Sequence, residues 1–268
     1  MGVMNITPDS FSDGGRLFRD DRPSLDDIRR HGVAMVEDGA SILDIGGEST
    51  RPGAAPVSVQ QELDRVLPCI EALAAEVDVT LSVDTSSPAV MQAAAGLGAG
   101  MINDVRALQR EGALEAAIAT GLPVCLMHMQ GQPDTMQVNP NYSDAVTEVC
   151  DWLEARANAC IDAGLSAGNI WLDPGFGFGK TVEHNLALLA GLPRLGALGY
   201  PLLVGLSRKS LIGKLIGREV DERLPASLAL AVLAADRGAS IIRTHDVRET
   251  ADAMAMVSAL ADSHSRGS

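Results

Sequence analysis

The sequence predicts an α/β protein that forms a single (β/α)8 barrel of the TIM type, and three observations predict it. Eight short apolar runs alternate with longer segments in which apolar residues recur at helical spacing. The short runs read as buried on both faces, as parallel strands covered by helices are. The chain has 268 residues, and such barrels take about 250 residues as one domain. A doubly wound open sheet is the alternative that these observations leave open.

Each predicted strand is short and ends in polar residues. In chain order the strands are Gly2–Asn5, Ser41–Gly46, Thr80–Asp84, Met101–Asp104, Pro123–His128, Ile170–Asp173, Leu202–Gly205 and Ile241–His245. We expect the barrel domain to cover residues 1–262 and the short tail, residues 263–268, to be disordered.

The segments between the strands carry the end signals of helices. Ser58 has a glutamine three residues later, which is typical of a capping box. Ser87-Pro88 places proline at the first helical position, where no backbone donor is lost. Gly164 is suited to end the long helix that follows the fifth strand. These signals place helices between the strands, as a barrel requires.

The composition excludes several classes of protein. The chain carries 21 basic and 35 acidic residues, a net charge of −14, whereas nucleic-acid binders present a basic face and anionic membranes attract basic segments. No apolar run approaches the roughly 18 residues of a membrane span, and the N-terminus does not read as a signal peptide. The four cysteines form no CxxC pair, so we expect reduced thiols and a cytoplasmic protein.

Polar residues follow all eight predicted strands, which is more than helix capping alone requires. In a barrel the carboxyl ends of the strands converge on one rim, where active sites lie. This rim therefore predicts one polar pocket. Five of its residues are potential cations in an acidic protein, which indicates an anionic ligand group such as phosphate, diphosphate or carboxylate. They are Arg51, Arg208, Lys209, Arg243 and His245.

The same rim has features that suit a flat ring. The Asp173 carboxylate could accept two hydrogen bonds from an amidine-like edge, such as that of a pterin or guanine. Three of the four phenylalanines, Phe11, Phe176 and Phe178, lie in glycine-rich loops after the first and sixth strands. We expect these rings to line a pocket for a planar ligand.

Eight segments in order along nearly the whole chain resemble the signature segments of the dihydropteroate synthase family. They are Asn5–Gly15, Asp44–Gly53, Ser82–Thr85, Ile102–Asp104, Met127–Met129, Asp173–Lys180, Ser207–Ser210 and Arg243–Asp246. The resemblance implies a homodimeric (β/α)8 barrel that condenses (7,8-dihydropterin-6-yl)methyl diphosphate with 4-aminobenzoate. It also implies a requirement for Mg²⁺ and inhibition by sulfonamides.

The resemblance further implies roles for individual residues. The pterin ring would be held by Asp84, Asn103, Asp173 and Lys209. The diphosphate would be bound by Arg243 and His245, with Asn5 as the Mg²⁺ ligand beside it, and Thr50 and Arg51 would close over the pterin diphosphate. The 4-aminobenzoate would be bound by Phe11, Pro52, Phe178 and Ser210. The catalytic set is then Asn5, Asp84, Asp173, Lys209, Arg243 and His245.

Two other functions remain open at this point. A methyltetrahydrofolate:corrinoid methyltransferase shares acidic and amide pterin contacts on a similar barrel, but it does not need the cations of Ser207–Ser210 or the Arg243 and His245 pair. A non-catalytic paralogue would bind pterin without turnover, and the presence of Asn5 beside those two cations argues against it.

Overall fold

The computed structural model describes residues 1–7, 17–19, 22–49, 54, 56–131 and 135–265. Within these residues eight parallel strands form the barrel, each within two residues of its predicted ends, so the predicted fold class is confirmed. They are β1 (Gly2–Asn5), β2 (Ile42–Gly46), β3 (Thr80–Asp84), β4 (Met101–Asp104), β5 (Val124–Met127), β6 (Ile170–Asp173), β7 (Leu203–Gly205) and β8 (Ile241–Arg243). A short antiparallel hairpin, Phe18–Arg19 with Arg22–Pro23, follows β1.

The barrel closes from two groups of strands. Strands β1 to β6 form one parallel sheet in sequence order, and β7 pairs with β8. One bridge, Leu172 with Leu202, joins β6 to β7, and another, Gly2 with Thr244, joins β8 to β1. The Val3 amide donates to the Thr244 carbonyl at 3.0 Å across the second joint. This closure excludes the open doubly wound sheet.

Helices cover the outside of the barrel, and the predicted end signals are present. Ser58 and Gln61 form the reciprocal capping box, and Pro88 is the first residue of its helix. Short 3₁₀ turns lie at Ala167–Asn169 and Val220–Glu222. The helices are α1 (Leu25–Glu37), α2 (Val59–Ala74), α3 (Pro88–Gly96), α4 (Ala113–Thr120), α5 (Ala145–Asp162), α6 (Val182–Ala190), α7 (Leu192–Gly196), α8 (Ser210–Ile216), α9 (Leu224–Asp236) and α10 (Val247–Ser265).

The last helix corrects the expectation of a disordered tail from residue 263. Helix α10 continues to Ser265, and the Ser263 hydroxyl donates to the Leu260 carbonyl at 2.7 Å. The segment from 263 to 265 holds no proline or glycine that would break the helix, so the helix extends through it. Residues 266–268 lie outside the described part of the chain.

Two further expectations concern the state of the cysteines and a membrane-spanning segment. All four cysteines are free and buried. Among the helices that the structure describes, none combines the length and the apolar character needed to cross a bilayer.

Candidate active site

The strand register places polar residues side by side at the carboxyl ends of the first four strands. Asn5 pairs with Gly46, Gly46 with Asp84, and Asp84 with Asn103. Further round the barrel, Met127 pairs with Asp173. Residues at one register level of a parallel sheet share one edge, so these side chains belong to a single rim.

A cluster of hydrogen-bonded side chains surrounds Arg243 at this rim. The Arg243 Nε donates to Asp44 Oδ2 at 2.6 Å and its Nη2 to Asp84 Oδ2 at 3.0 Å, while Asn103 Nδ2 donates to the same Asp44 oxygen at 3.0 Å. Asp44 is fully buried, and its other oxygen finds no partner within the described structure. We call these four residues the Arg243 cluster.

The Arg243 cluster contains two carboxylates and one guanidinium. Burial raises the pKa of the Asp84 carboxyl, and the neighbouring charge of Asp44 raises it further, while Arg243 opposes both. A buried charge is costly unless it is paired, so this cluster favours the neutral form of one carboxyl.

Asp173 and Lys209 lie on the neighbouring part of the rim. Asp173 Oδ1 accepts from the Gly175 amide at 2.7 Å. The Lys209 ammonium donates to the Phe176 carbonyl and lies 4.8 Å from the centroid of the Phe178 ring. Burial raises the pKa of Asp173, against the charge of Lys209. Burial also lowers the pKa of Lys209 to about 8, although the Asp173 carboxylate opposes this.

Lys209 and Arg243 open onto the same space. A Cβ at Gly205 would lie 3.8 Å from Arg243 Cβ and 3.9 Å from Lys209 Nζ, so both side chains flank Gly205. His245 follows β8, and its Nδ1 lies 3.0 Å from the Ser207 hydroxyl oxygen. The structure therefore brings acidic, amide and cationic groups together around one mouth.

The loop after β6 needs glycine where it passes the neighbouring strand end. Gly175 has a φ of +68°, and a Cβ there would lie 1.9 Å from the His128 carbonyl oxygen. Gly179 has a φ of +61°, and its Cβ would lie 2.5 Å from the Gln130 carbonyl oxygen. Only glycine combines a positive φ with so close an approach of two backbones. The loop therefore lies directly against the segment that follows β5.

Phe176 and Arg208, which the sequence predicted at the ligand pocket, are held by contacts within the fold. Phe176 is fully buried in the main hydrophobic core, so it does not line a ligand pocket, whereas Phe178 is half-buried at the mouth. Arg208 forms a bidentate pair with Asp246 and has a φ of +56°. This pairing offsets part of the Arg208 charge, and the expected role of Arg208 at an anionic group stays a prediction.

Other predicted residues are at the rim or beyond description. Ser210 is the first residue of α8 and is exposed. Phe11, Thr50, Arg51 and Pro52 lie outside the described residues, and their predicted roles stay predictions.

The described residues contain no group of three or more His, Cys, Asp or Glu side chains that could by themselves hold a metal ion. Asn5 is half-buried at the end of β1. Mg²⁺ is usually bound by one or two protein ligands together with phosphate oxygens and water. A single strand-end amide oxygen therefore fits an ion that arrives with a diphosphate, and it does not fit a metal that is resident without substrate.

Asp44 is the residue at this site for which the sequence predicted no role. It stands inside an apolar strand, between Leu43 and Ile45. A carboxylate at such a position needs a buried partner, and this signal could have identified it.

A (β/α)8 barrel that collects cations, carboxylates and an amide at one mouth defines an enzyme class that binds small anionic molecules. Residues 1–245 match the family described as "Pterin binding enzyme". The chain is 54% identical to the dihydropteroate synthase of Escherichia coli K12, over 97% of this chain and 90% of that protein. The chain therefore belongs to the pterin-binding enzyme family, among its dihydropteroate synthases.

Solved structures support the same assignment. The chain superposes on a Yersinia pestis dihydropteroate synthase in a sulfonamide drug complex with a TM-score of 0.94 and 53% identity, covering 98% of this chain and 94% of that one. It also superposes on the Xanthomonas albilineans enzyme in complex with 7,8-dihydropteroate, with a TM-score of 0.86 and 47% identity, covering 97% and 92%.

Proposed function

We propose that this chain is a transferase that condenses (7,8-dihydropterin-6-yl)methyl diphosphate with 4-aminobenzoate, releasing 7,8-dihydropteroate and diphosphate. The observation that carries the proposal is the shared mouth of Asp173, Lys209 and Arg243, which offers ring-binding acceptors beside cations. The likeness of the chain to an enzyme whose structure was solved with 7,8-dihydropteroate supports the same reaction. The C–O bond to diphosphate breaks, a C–N bond to the arylamine forms, and the amine loses a proton.

The pterin ring would be recognised by hydrogen bonds of defined direction. Asp173 would accept from the 2-amino group and the ring N3–H, and Lys209 would donate to the ring carbonyl. Asn103 commits its amide N–H to Asp44, which leaves its carbonyl oxygen as an acceptor for the ring. Asp84 lies next to it in register and completes this edge of the site.

The diphosphate would leave toward Arg243 and His245. Arg243 uses two of its five N–H donors on carboxylates, so further donors remain for phosphate oxygens. Preorganised donors at a developing charge stabilise the transition state without reorganisation. A cation delocalised over the pterin ring would then be captured by the amine of 4-aminobenzoate, so no nucleophilic side chain is required.

Mg²⁺ would be held by the side-chain oxygen of Asn5 together with the substrate's diphosphate. Bound there, the ion would neutralise charge that builds up on the leaving group. The chain's own contribution would be the position of Asn5 at the end of its strand, at the same register level as Gly46, Asp84 and Asn103.

The 4-aminobenzoate would lie against Phe178, with its carboxylate near Ser210. Phe11 and Pro52 would pack against the same ring, and Thr50 and Arg51 would close over the pterin diphosphate. The sulfonamide complex of the Yersinia pestis relative supports the proposal that sulfonamides compete for this part of the site.

A second copy of the chain is the partner we propose for an apolar surface on α9 and α10. Leu233, Met256 and Leu260 are 41%, 71% and 59% exposed, and a dimer interface would bury such residues. Met256→Glu together with Leu260→Glu should therefore give monomers in sedimentation experiments, and an unchanged mass would contradict the dimer.

Four free, buried cysteines support a cytoplasmic location.

A diphosphate-release assay with both substrates tests the proposed function. We expect release that requires both compounds and yields 7,8-dihydropteroate, and we expect sulfamethoxazole to compete with 4-aminobenzoate. Pterin binding without release would indicate the non-catalytic paralogue, and methyl transfer to a corrinoid would indicate the methyltransferase. Full activity with excess sulfamethoxazole at limiting 4-aminobenzoate would contradict the proposed aminobenzoate site.

A further inference from the structure

Lys180 is a buried lysine to which the reaction assigns no task. Its residue is 2% exposed, and it follows the glycine-rich loop after β6. Its Nζ lies 3.0 Å from the Gly175 carbonyl oxygen, 2.9 Å from that of Phe178 and 3.3 Å from that of His128. The same Nζ lies 3.0 Å from His128 Nδ1. Lysine is almost never buried without partners, and here four acceptors surround one amino group.

The loop from 175 to 179 has no regular structure, yet each of its five carbonyls accepts a hydrogen bond from a side chain. The donors are Lys180 for residues 175 and 178, Lys209 for 176, Gln137 for 177 and Tyr142 for 179. The Phe178 amide also donates to the Gly175 carbonyl at 3.1 Å, which closes a turn. Buried carbonyls need such partners, so these side chains determine the shape of the loop.

Two substrate-binding side chains are attached to this turn. Asp173 accepts from the Gly175 amide, and Lys209 donates to the Phe176 carbonyl. Lys180 holds the carbonyls at both ends of the same turn, Gly175 and Phe178. The position of the turn therefore sets where the Asp173 carboxylate and the Lys209 ammonium lie relative to each other.

His128 ties Lys180 to the neighbouring strand. The His128 amide donates to the Asp173 carbonyl at 2.9 Å, and its ring packs edge-on against Trp152 with the centroids 5.0 Å apart. Burial, with the charge of Lys180, lowers the pKa of His128 to about 3. The imidazole is therefore neutral at physiological pH, and its Nδ1 can accept from the lysine.

We propose that Lys180 is a positioning residue: by holding the Gly175–Phe178 turn against His128, it sets the spacing of Asp173 and Lys209 around the pterin ring. This inference rests on the proposed function, because it concerns the same substrate site. Lys180 acts on substrate binding through the turn and does not touch the substrate.

The test compares Lys180→Met with Tyr142→Phe in the full chain. Tyr142 is the matched control, because its hydroxyl holds the same loop at Gly179, away from the carbonyls that adjoin Asp173 and Lys209. The dissociation constant of (7,8-dihydropterin-6-yl)methyl diphosphate is measured by calorimetry, with kcat and KM from diphosphate release. We expect Lys180→Met to weaken binding at least tenfold and to raise KM for the pterin more than it lowers kcat. Tyr142→Phe should stay within threefold in all three quantities.

A measurement on the wild-type chain keeps the inference testable if Lys180→Met does not fold. Lysine occurs three times, at positions 180, 209 and 214, so ¹³Cε-lysine labelling gives three NMR signals. Addition of the pterin diphosphate should shift the signals of Lys180 and Lys209 and leave that of the exposed Lys214 unchanged.

Two results would overturn the inference. One is a folded Lys180→Met chain with wild-type pterin affinity, and the other is a Lys180 signal that does not move when Lys209 responds. A wild-type chain that fails to release diphosphate from the two substrates would instead refute the proposed function, so the two failures are distinguishable.

Discussion

The two parts of the mouth carry opposite excess charge. The Arg243 cluster has the carboxylates of Asp44 and Asp84 against one guanidinium. The other part, which we call the Lys209 cluster, has the amino groups of Lys180 and Lys209 against the single carboxylate of Asp173. Burial moves each part toward neutrality, because it raises the pKa of Asp84 and lowers the pKa of Lys180 and Lys209 to about 7 and about 8.

The two clusters also differ in what holds them. Side chains of the Arg243 cluster bond to one another from neighbouring strands, so the barrel register fixes them. Side chains of the Lys209 cluster bond to backbone atoms of a loop. The barrel register therefore fixes Arg243, the proposed diphosphate contact, together with Asp84 and Asn103, two of the proposed pterin contacts. The other two proposed pterin contacts, Asp173 and Lys209, depend on the shape of one turn.

Removal of Mg²⁺ gives the largest expected effect and separates the two clusters. A chelator such as EDTA should abolish turnover, because the diphosphate then leaves without its counter-ion. Binding of a pterin that lacks the diphosphate should be unaffected, because Asp173 and Lys209 need no metal. Diphosphate release measures turnover and calorimetry measures pterin binding, each with and without chelator. An equal loss of turnover and of pterin binding would contradict the division of roles between the two clusters.

Arg243→Ala should break the barrel-held cluster. We expect kcat/KM to fall roughly 30- to 5,000-fold, which corresponds to a loss of transition-state stabilisation on the order of 2–5 kcal/mol, because a charged contact to the leaving group is lost. Stability should also fall by about 3 kcal/mol, because Asp44 and Asp84 are left without their cation. Urea unfolding and steady-state kinetics measure the two effects.

The control for Arg243→Ala is the double variant that carries both Arg243→Ala and Asp44→Asn. It removes one of the two stranded carboxylates, so stability should recover while kcat/KM stays low. Recovery of kcat/KM in the double variant would contradict a direct role of Arg243 in the reaction.

A smaller effect, about tenfold in affinity, is expected from pH. As pH rises from about 7 to 9, Lys209 passes its pKa of about 8 and loses the charge that donates to the pterin carbonyl, so binding should weaken. Lys209→Arg stays protonated across this range and should flatten the profile. An equally steep profile in that variant would assign the pH dependence to another group.

The sequence was sufficient for the parts of the molecule that follow from periodicity. The strands could be predicted because apolar runs and turn residues are local signals, and the polar strand ends then had to share a rim. Contacts between side chains distant in sequence were harder to predict: the pair of Arg208 with Asp246, 38 residues away, has no local signal in the sequence. Phe176 resembles a pocket residue in its glycine-rich context, and only the packed core shows that it is buried.

The joints of the barrel separate the proposed ligand-binding groups by the sign of their charge. Lys209, Arg243 and His245 all stand on or just after the β7–β8 pair, whereas the acidic and amide groups stand on the six-stranded sheet. The bridges at Leu172–Leu202 and Gly2–Thr244 join these two groups of strands. A pterin diphosphate that contacts both would add non-covalent cross-links across those joints, so substrate itself would strengthen the closed cylinder and raise its melting temperature.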